Sequence, residues 1–551
     1  MKIPTGPSAL RFIVVLLLAP LAACGTTGHS MSRASVSTGT PPGLAELAYG
    51  DFGALTRDGF DRAIIPWKLV AAALLLQEEE RRGHALSRDS LGAVLAQYGF
   101  LEPARIANWE GPAPGTASPA LGLVTGRVPL GVPGLHATGG TVACAACHAG
   151  TTYDASGRAT GRAWLGLPNS SIALDLFADD LTAALRSAVR NGIALLDRVV
   201  REYPDTPIGE RMALRFAVLS RTRRVVDSLA AGHLRAMPFR NGAPGNSNGI
   251  AAIKRYLRAG DTTVHWADEA GWVNVPNLTG RVLRTSFMVD GVYAPRGVDG
   301  EALAALPSDE ARAVALAPAA ALIVVPAMGV PPDRALRQLG RFASVMTWLA
   351  GSHTPPFPAV IDTTLAREGA LLFDDHCARC HGTYAESGLM PHQLVTFPNR
   401  TISIARLGTD RVRLDRADST TGAAIEEGPF GPLVRLQRAT GYVAPVLSGV
   451  WATAPYLHNG SVPSIWALLS PEARPITFEV GGHALDYASL GVLLERGTDG
   501  GWRYPAAYVP ASRSAMYDTR APGQSNAGHR FPSEGLSDAD KRRLIEYLKT
   551  L

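Results

Sequence analysis

Thiols are scarce in this chain, with five cysteines in 551 residues. Four of them form two close pairs, Cys144 with Cys147 and Cys377 with Cys380, and the fifth, Cys24, lies near the amino terminus. No thiol is left for a structural disulfide or for a four-thiolate metal site outside the pairs. Net charge is small too, with 53 basic residues against 48 acidic ones. The formal net of +5 falls to about +3 without Lys2 and Arg11 of the leader, and the basic residues are scattered. This excludes a nucleic-acid binder. After the leader, no stretch is expected to reach the roughly 18 apolar residues that cross a bilayer. The hydrolase and phosphate motifs Gly-x-Ser-x-Gly, His-Glu-x-x-His and the phosphate loop are missing, so those chemistries have no motif to stand on.

What the chain does have is a histidine directly after each cysteine pair: Cys144-Ala-Ala-Cys147-His148 and Cys377-Ala-Arg-Cys380-His381. Two thiols three residues apart lie on one face of a helical turn, and the next residue adds an imidazole. A porphyrin can then be fixed by two thioethers and one iron ligand. One such box alone could be a zinc knuckle or a thioredoxin-like redox pair that precedes a histidine by chance. Two boxes in a chain with 13 histidines argue for two covalently bound haem c groups.

The first 23 residues agree with that. Lys2 and Arg11 precede the apolar run Phe12 to Leu18, and Leu21-Ala-Ala-Cys24-Gly25 follows. A short basic segment, a short apolar run and small residues before a cleavage point describe an export signal. The ending is similar to a bacterial lipoprotein box, with Cys24 as the lipidated residue; an uncleaved anchor is the alternative. Either reading exports the chain to the periplasm or cell envelope, where haem c is attached. Gly25, in place of an inner-membrane-retaining Asp, favours the outer membrane.

The body divides into a tether over 24–45, rich in Ser, Thr, Gly and Pro towards Gly43, an amino-terminal haem domain with inserted helices over 46–352, and a carboxy-terminal cytochrome c domain over 353–551. Helix patterns are expected within 55–83, over 179–203 and 211–231 as an antiparallel pair, over 333–351, over 365–373, and at the end behind Ser537 and Asp540. In 179–203 the inward positions are Leu181, Leu185, Val189, Ile193, Leu196 and Val200. The charge run Glu78 to Arg82 is expected as a solvated helix end, and 102–140 as an irregular lead-in to the first box. His353-Thr-Pro-Pro-Phe-Pro358 cannot continue a helix and marks the domain boundary. The fold class is therefore mainly α: two cytochrome c-like haem domains with long irregular loops and few short strands.

Several blocks carry a resemblance. Ile361-Asp362, the second box with Gly382-Thr-Tyr384, Phe397-Pro-Asn399, Gly408-Thr-Asp410, Pro455-Tyr-Leu-His-Asn-Gly460-Ser-Val-Pro463 and Asn526-Ala-Gly-His529 follow one another in an order that resembles the dihaem cytochrome c peroxidase superfamily. Within it, the chain is most similar to the branch containing the rubber oxygenases. The resemblance is dense from about Pro355 onwards and thin before. It implies one haem per domain with electron exchange between them. Peroxidases of the superfamily often place a methionine ligand after the His-Asn-Gly turn, but here Ser470-Pro-Glu-Ala-Arg474 has none. The oxygenase-like branch implies a second histidine instead, and His529 is the candidate, with His458 as a supporting group beside the site. His376 reads as a surface residue, Met390 and His392 as spare ligands.

Phe287 and Met288 are pocket candidates for the haem at His148, with ordinary core as the bland alternative. His233 or His265 could close that site instead. A haem with two protein ligands passes electrons but has no place for substrate, whereas an open position binds peroxide or dioxygen. The expected function is therefore a lipid-anchored oxidoreductase, peroxidase-like, with an electron-transfer haem at the carboxy end and a reactive one at the amino end. A dioxygenase of a hydrophobic alkene and a pure electron carrier are the alternatives. The implied partners are a redox protein or small electron carrier, peroxide or dioxygen, and a membrane reached through the lipid anchor; the resemblance also allows a calcium ion between the domains, as in several relatives.

Overall fold

The computed structural model describes residues 41–57, 64–102, 106–109, 118–230, 239–257, 270–385 and 391–551. The leader, Cys24, His233, His265 and Met390 lie outside the described residues. Helix makes up 43% and strand 16%. Helix dominates as expected, but the strands are many, not few: nineteen among the described residues, none longer than seven residues.

Two apolar cores organise the chain. The first gathers residues from Leu44 to Leu349, and the second Phe357 to Leu551. They interlock, because Ile425, Phe430 and Val434 belong to the first core, and Tyr153 and Leu167 to the second. A two-stranded ladder of Tyr293–Pro295 with Val434–Leu436 ties this later segment into the first core.

The second core is built on helix Thr363–His376, which leads into the second box, packed against the closing helix Asp538–Leu548. Asp362 starts the first by accepting the amides of Thr364 and Leu365, and a Ser537/Asp540 capping box starts the second. Their crossing needs a glycine: a Cβ on Gly369 would stand 2.0 Å from the Arg543 carbonyl oxygen. We expect Gly369→Ala to destabilise the fold by about 1–3 kcal/mol through overpacking, read as a lower denaturation midpoint with spectra otherwise unchanged.

Several expectations are corrected. Residues 42–45 are not tether, because helix Pro42–Tyr49 buries Leu44 and Leu47 against Leu339–Ala350. The lead-in to the first box is a regular hairpin, Leu123–Pro129 with His136–Val142, whose glycines sit inside the strands. The stretch 179–203 is two helices, Leu174–Ala188 and Gly192–Glu202, separated by a tight turn. That turn rotates the frame, so Leu195 and Val199 are buried while Ile193 and Val200 face solvent. The 333–351 helix is likewise broken, at Gln338, into Pro332–Arg337 and Leu339–Ala350. Glu78 is buried rather than solvated; it pairs with Arg81 and Arg82, and Glu79 pairs with Arg198. Helix Asp309–Met328 has the length and hydropathy to cross a membrane. Half of its most apolar window is nevertheless buried within the protein, packed on Gly249–Leu257 and Leu339–Ala350.

Candidate haem sites

The two boxes fold alike. In each, the histidine amide donates to the carbonyl of the first cysteine, His148 to Cys144 at 2.8 Å and His381 to Cys377 at 3.0 Å. This one-turn closure puts both thiols and the imidazole on one side. Burial raises the thiols, Cys144 to about 11, Cys147 and Cys377 to about 12, so in the free protein they are protonated at neutral pH. Among the described residues, no group of three or more His, Cys, Asp or Glu side chains is arranged to hold a metal ion, so a zinc knuckle or a carboxylate calcium cage finds no cluster there.

Each imidazole is then oriented by a proline carbonyl. His148 Nδ1 donates to Pro276 O at 3.1 Å, and His381 Nδ1 to Pro445 O at 2.9 Å. A carbonyl only accepts, so Nδ1 carries the proton and Nε2 presents its lone pair, as an iron ligand must. Burial holds both rings neutral, His148 down to about 4 and His381 below its ordinary range.

The matching prolines belong to a repeat that the sequence reading missed. Residues 276–293 and 445–462 fold alike at a constant offset of 169. Gly280 and Gly449 both take φ 68° before a short 3-10 turn, Arg281–Leu283 and Val450–Ala452. Seven residues on, Phe287 N–H donates to Tyr293 O and Tyr456 N–H to Val462 O, each at 2.7 Å. Met288 (φ 67°) and Leu457 (φ 66°) share the same rare backbone conformation. The signal available in the sequence was faint: Leu-Thr-Gly280 against Leu-Ser-Gly449, and Met-Val-Asp-Gly291 against Leu-His-Asn-Gly460. The chain thus carries two copies of one unit, a box with its proline clamp and turn, and Phe287 and Met288 are the positional counterparts of Tyr456 and Leu457.

The second copy faces a cavity of about 300 Å³, within the range of cofactor sites (roughly 300–1,000 Å³), lined by Cys377, Cys380, His381, Tyr442, His458 and His529 among others. The rings of His381 and His529 stand 6.3 Å apart, centroid to centroid, across it. An imidazole nitrogen lies about 2 Å from a metal it ligates, so two rings on opposite sides of one iron have centroids roughly 6 Å apart. His529 Nδ1 is buried with no protein partner. Such a nitrogen is what a ligand, or a group beside one, shows before the metal is counted. Burial first, then the His381 ring and Arg474, lower its pKa to about 3, which keeps the ring neutral.

The loop that carries His529 is tied down from three sides. His529 itself has φ 54°, and its amide donates to Leu407 O at 2.9 Å. Gly528 before it leaves no room for a Cβ, which would meet Leu407 O at 2.6 Å. Asn459, from the Pro-Tyr-Leu-His-Asn-Gly block, donates to the carbonyls of Gly523 and Ser525 at 3.1 Å each. Arg474 donates to Ala467 O (3.0 Å), Leu468 O (2.9 Å), Gly528 O (2.9 Å) and Asn526 O. The segment with no methionine to offer therefore supplies an arginine clamp. His458 stacks on Tyr442 at 4.1 Å, its pKa lowered to about 3 by burial and by Arg413.

The remaining candidates are placed as follows. His376 is exposed and lies at the cavity mouth. His392 is buried away from it, its amide on Thr550 O and its ring against Thr550 Oγ1 and Tyr547. Phe287 is buried in the core that Cys144, Cys147 and Met288 also pack against, with the Arg281 guanidinium 5.0 Å over its ring. Met288 points to the start of helix Gly249–Leu257: its methyl lies 2.9 Å from where a Cβ of Gly249 would stand.

A Cys-x-x-Cys-His box, a proline-clamped imidazole and a second histidine facing it are an arrangement that suits a covalently bound haem. Residues 441–479 match a family model described as RoxA-like, cytochrome c-like, which supports the rubber-oxygenase-like branch and implies haem c in an oxidoreductase. Two proteins of Sinorhizobium fredii are similar to the chain. One, described as uncharacterized protein y4iJ, is 32% identical over 273 residues, 38% of this chain and 44% of its own length. The other, uncharacterized protein y4iM, is 31% identical over 236 residues, 37% of this chain and 53% of its own length. The matched stretches thus span about half of each relative.

Proposed function

We propose that the chain is an exported dihaem c-type oxidoreductase of the rubber-oxygenase-like kind, in which a closed carboxy-terminal haem passes electrons and an amino-terminal haem reacts with dioxygen. The observation that carries this reading is the pair of facing imidazoles, His381 and His529. Haem, once attached, supplies one-electron chemistry whose potential follows its axial ligands and surroundings. Cys377 and Cys380 would anchor the second porphyrin and His381 and His529 ligate its iron, leaving no position for substrate. Cys144, Cys147 and His148 would hold the first. Phe287, in the apolar wall, would exclude water from that site, and a hydrophobic alkene suits such a wall. Cys24 would tether the protein by lipid to the outer membrane, and a redox protein or small carrier would exchange electrons with the second haem.

The RoxA-like match favours dioxygen. A peroxidase-like reaction, reducing peroxide with electrons from a partner, is the second reading, supported by the same two-copy architecture. Protein exported through a working haem maturation system should carry two haems by mass, with one low-spin signal and one iron open to added ligand by EPR. Dioxygen uptake with a polyisoprene supports the first reading, and peroxide turnover with a reduced donor the second. A backbone without thioether-linked haem would sink both.

A further inference from the structure

Two arginines in the first repeat stand apart from its second copy. Arg281 and Arg284 occupy the positions of Val450 and Thr453. Both line the cavity that holds His381 and His529, and Arg281 also acts electrostatically on His148. The pair therefore lies between the two boxes. Arg284 is 6% exposed, and the Nε of each guanidinium is buried without a partner. Among the described residues, Arg284 donates to Met288 O at 2.8 Å, and Arg281 lies over the Phe287 ring. Neither forms an ion pair among the described residues. The carboxylate that Arg284 feels, Asp290, is paired with Arg413 at 2.9 Å. Burial lowers Arg281 to about 10 and Arg284 to about 9, still charged at neutral pH.

A buried and a half-buried cation without a counter-anion among the described residues are costly unless something arrives to pair with them. The cavity they line is where the second porphyrin would sit, and a porphyrin brings two carboxylates of its own. Resting on the function proposed above, we infer that Arg281 and Arg284 form an anion site that receives the propionate carboxylates of the haem bound at Cys377, Cys380 and His381. Planar guanidinium forks suit carboxylates, and the position of the pair would set that haem's edge towards the amino-terminal haem.

Reduction removes one positive charge from the iron, so leaving propionates unpaired penalises the ferrous state. In holoprotein shown by mass to carry both haems, spectroelectrochemical titration followed by EPR should find the carboxy-terminal, low-spin haem harder to reduce in Arg281→Gln/Arg284→Gln. The expected size is about a tenfold fall in its ferrous-to-ferric ratio at a fixed potential, 59 mV for a one-electron couple. Arg284→Lys, which keeps the charge and the fold, should restore most of it relative to Arg284→Gln, and serves alone with wild type if the double variant does not fold, by a smaller shift of the same sign. Unchanged potentials with both haems attached, or a shift confined to the amino-terminal haem, would overturn the assignment. A wild-type chain without haem would overturn the underlying reading, and this one with it.

Discussion

On the dihaem reading proposed above, His529→Gly should turn the carboxy-terminal haem from six-coordinate, low-spin iron into an iron open to added ligands in essentially the whole population. The reason is geometric: His529 faces His381 across the cavity, and among the described residues no other histidine ring is paired with His381. His458, which also lines the cavity, is stacked on Tyr442, and His376 is exposed. The glycine should tolerate the left-handed backbone of that position, φ 54°, so the loop keeps its path while the imidazole is removed. Free imidazole should then restore the low-spin spectrum. Arg474→Ala should act in the same direction without touching the ligand, because it releases the carbonyls of Asn526 and Gly528 that hold the loop. Outer groups that orient a metal ligand typically matter by about 10–100-fold in affinity or activity. Electron paramagnetic resonance of the oxidised protein checks both. A His529→Gly protein whose low-spin signals are all retained would mean that His529 is no ligand.

Much of this site could be read from the sequence because its chemistry is local. A Cys-x-x-Cys-His box needs only five consecutive residues, and the closing helix announces itself through Ser537 and Asp540. The Asn526-Ala-Gly-His529 block was legible only through a resemblance, since nothing in its composition says that it lies opposite His381. What stayed hidden depends on long-range geometry. Pro276 and Pro445 act through carbonyls, which leave no side-chain signature. The repeat at an offset of 169 is conserved in backbone conformation more than in residue type: Phe287 replaces Tyr456, and Asp290 replaces Asn459. The helix breaks near Asn191 and Gln338 were missed because the apolar period runs on across a tight turn while the inward face rotates. The apolar helix Asp309–Met328 shows the converse, since length and hydropathy alone do not distinguish a core helix from a membrane span.

Asp290 also shows where the two copies have parted. In the second copy, Asn459 holds the loop of His529; in the first, Asp290 meets Arg413, from the short helix Val412–Asp415, at 2.9 Å with both side chains at most 1% exposed. The pair joins the first repeat to the carboxy-terminal half, next to Tyr293 and Tyr442. A buried ion pair adds little over well-packed apolar groups, because desolvation offsets most of the attraction. Losing one partner is different, since the other is left charged in a site without water. Arg413→Met should therefore destabilise the protein by about 3–5 kcal/mol, seen as a lower denaturation midpoint of the holoprotein. Adding Asp290→Asn, the residue of the second copy, removes the stranded charge and should recover most of that loss. If Arg413→Met cost no more than an ordinary surface substitution, within about 0.5 kcal/mol, or if the second substitution recovered nothing, the pair would not be what holds the first repeat against the other half.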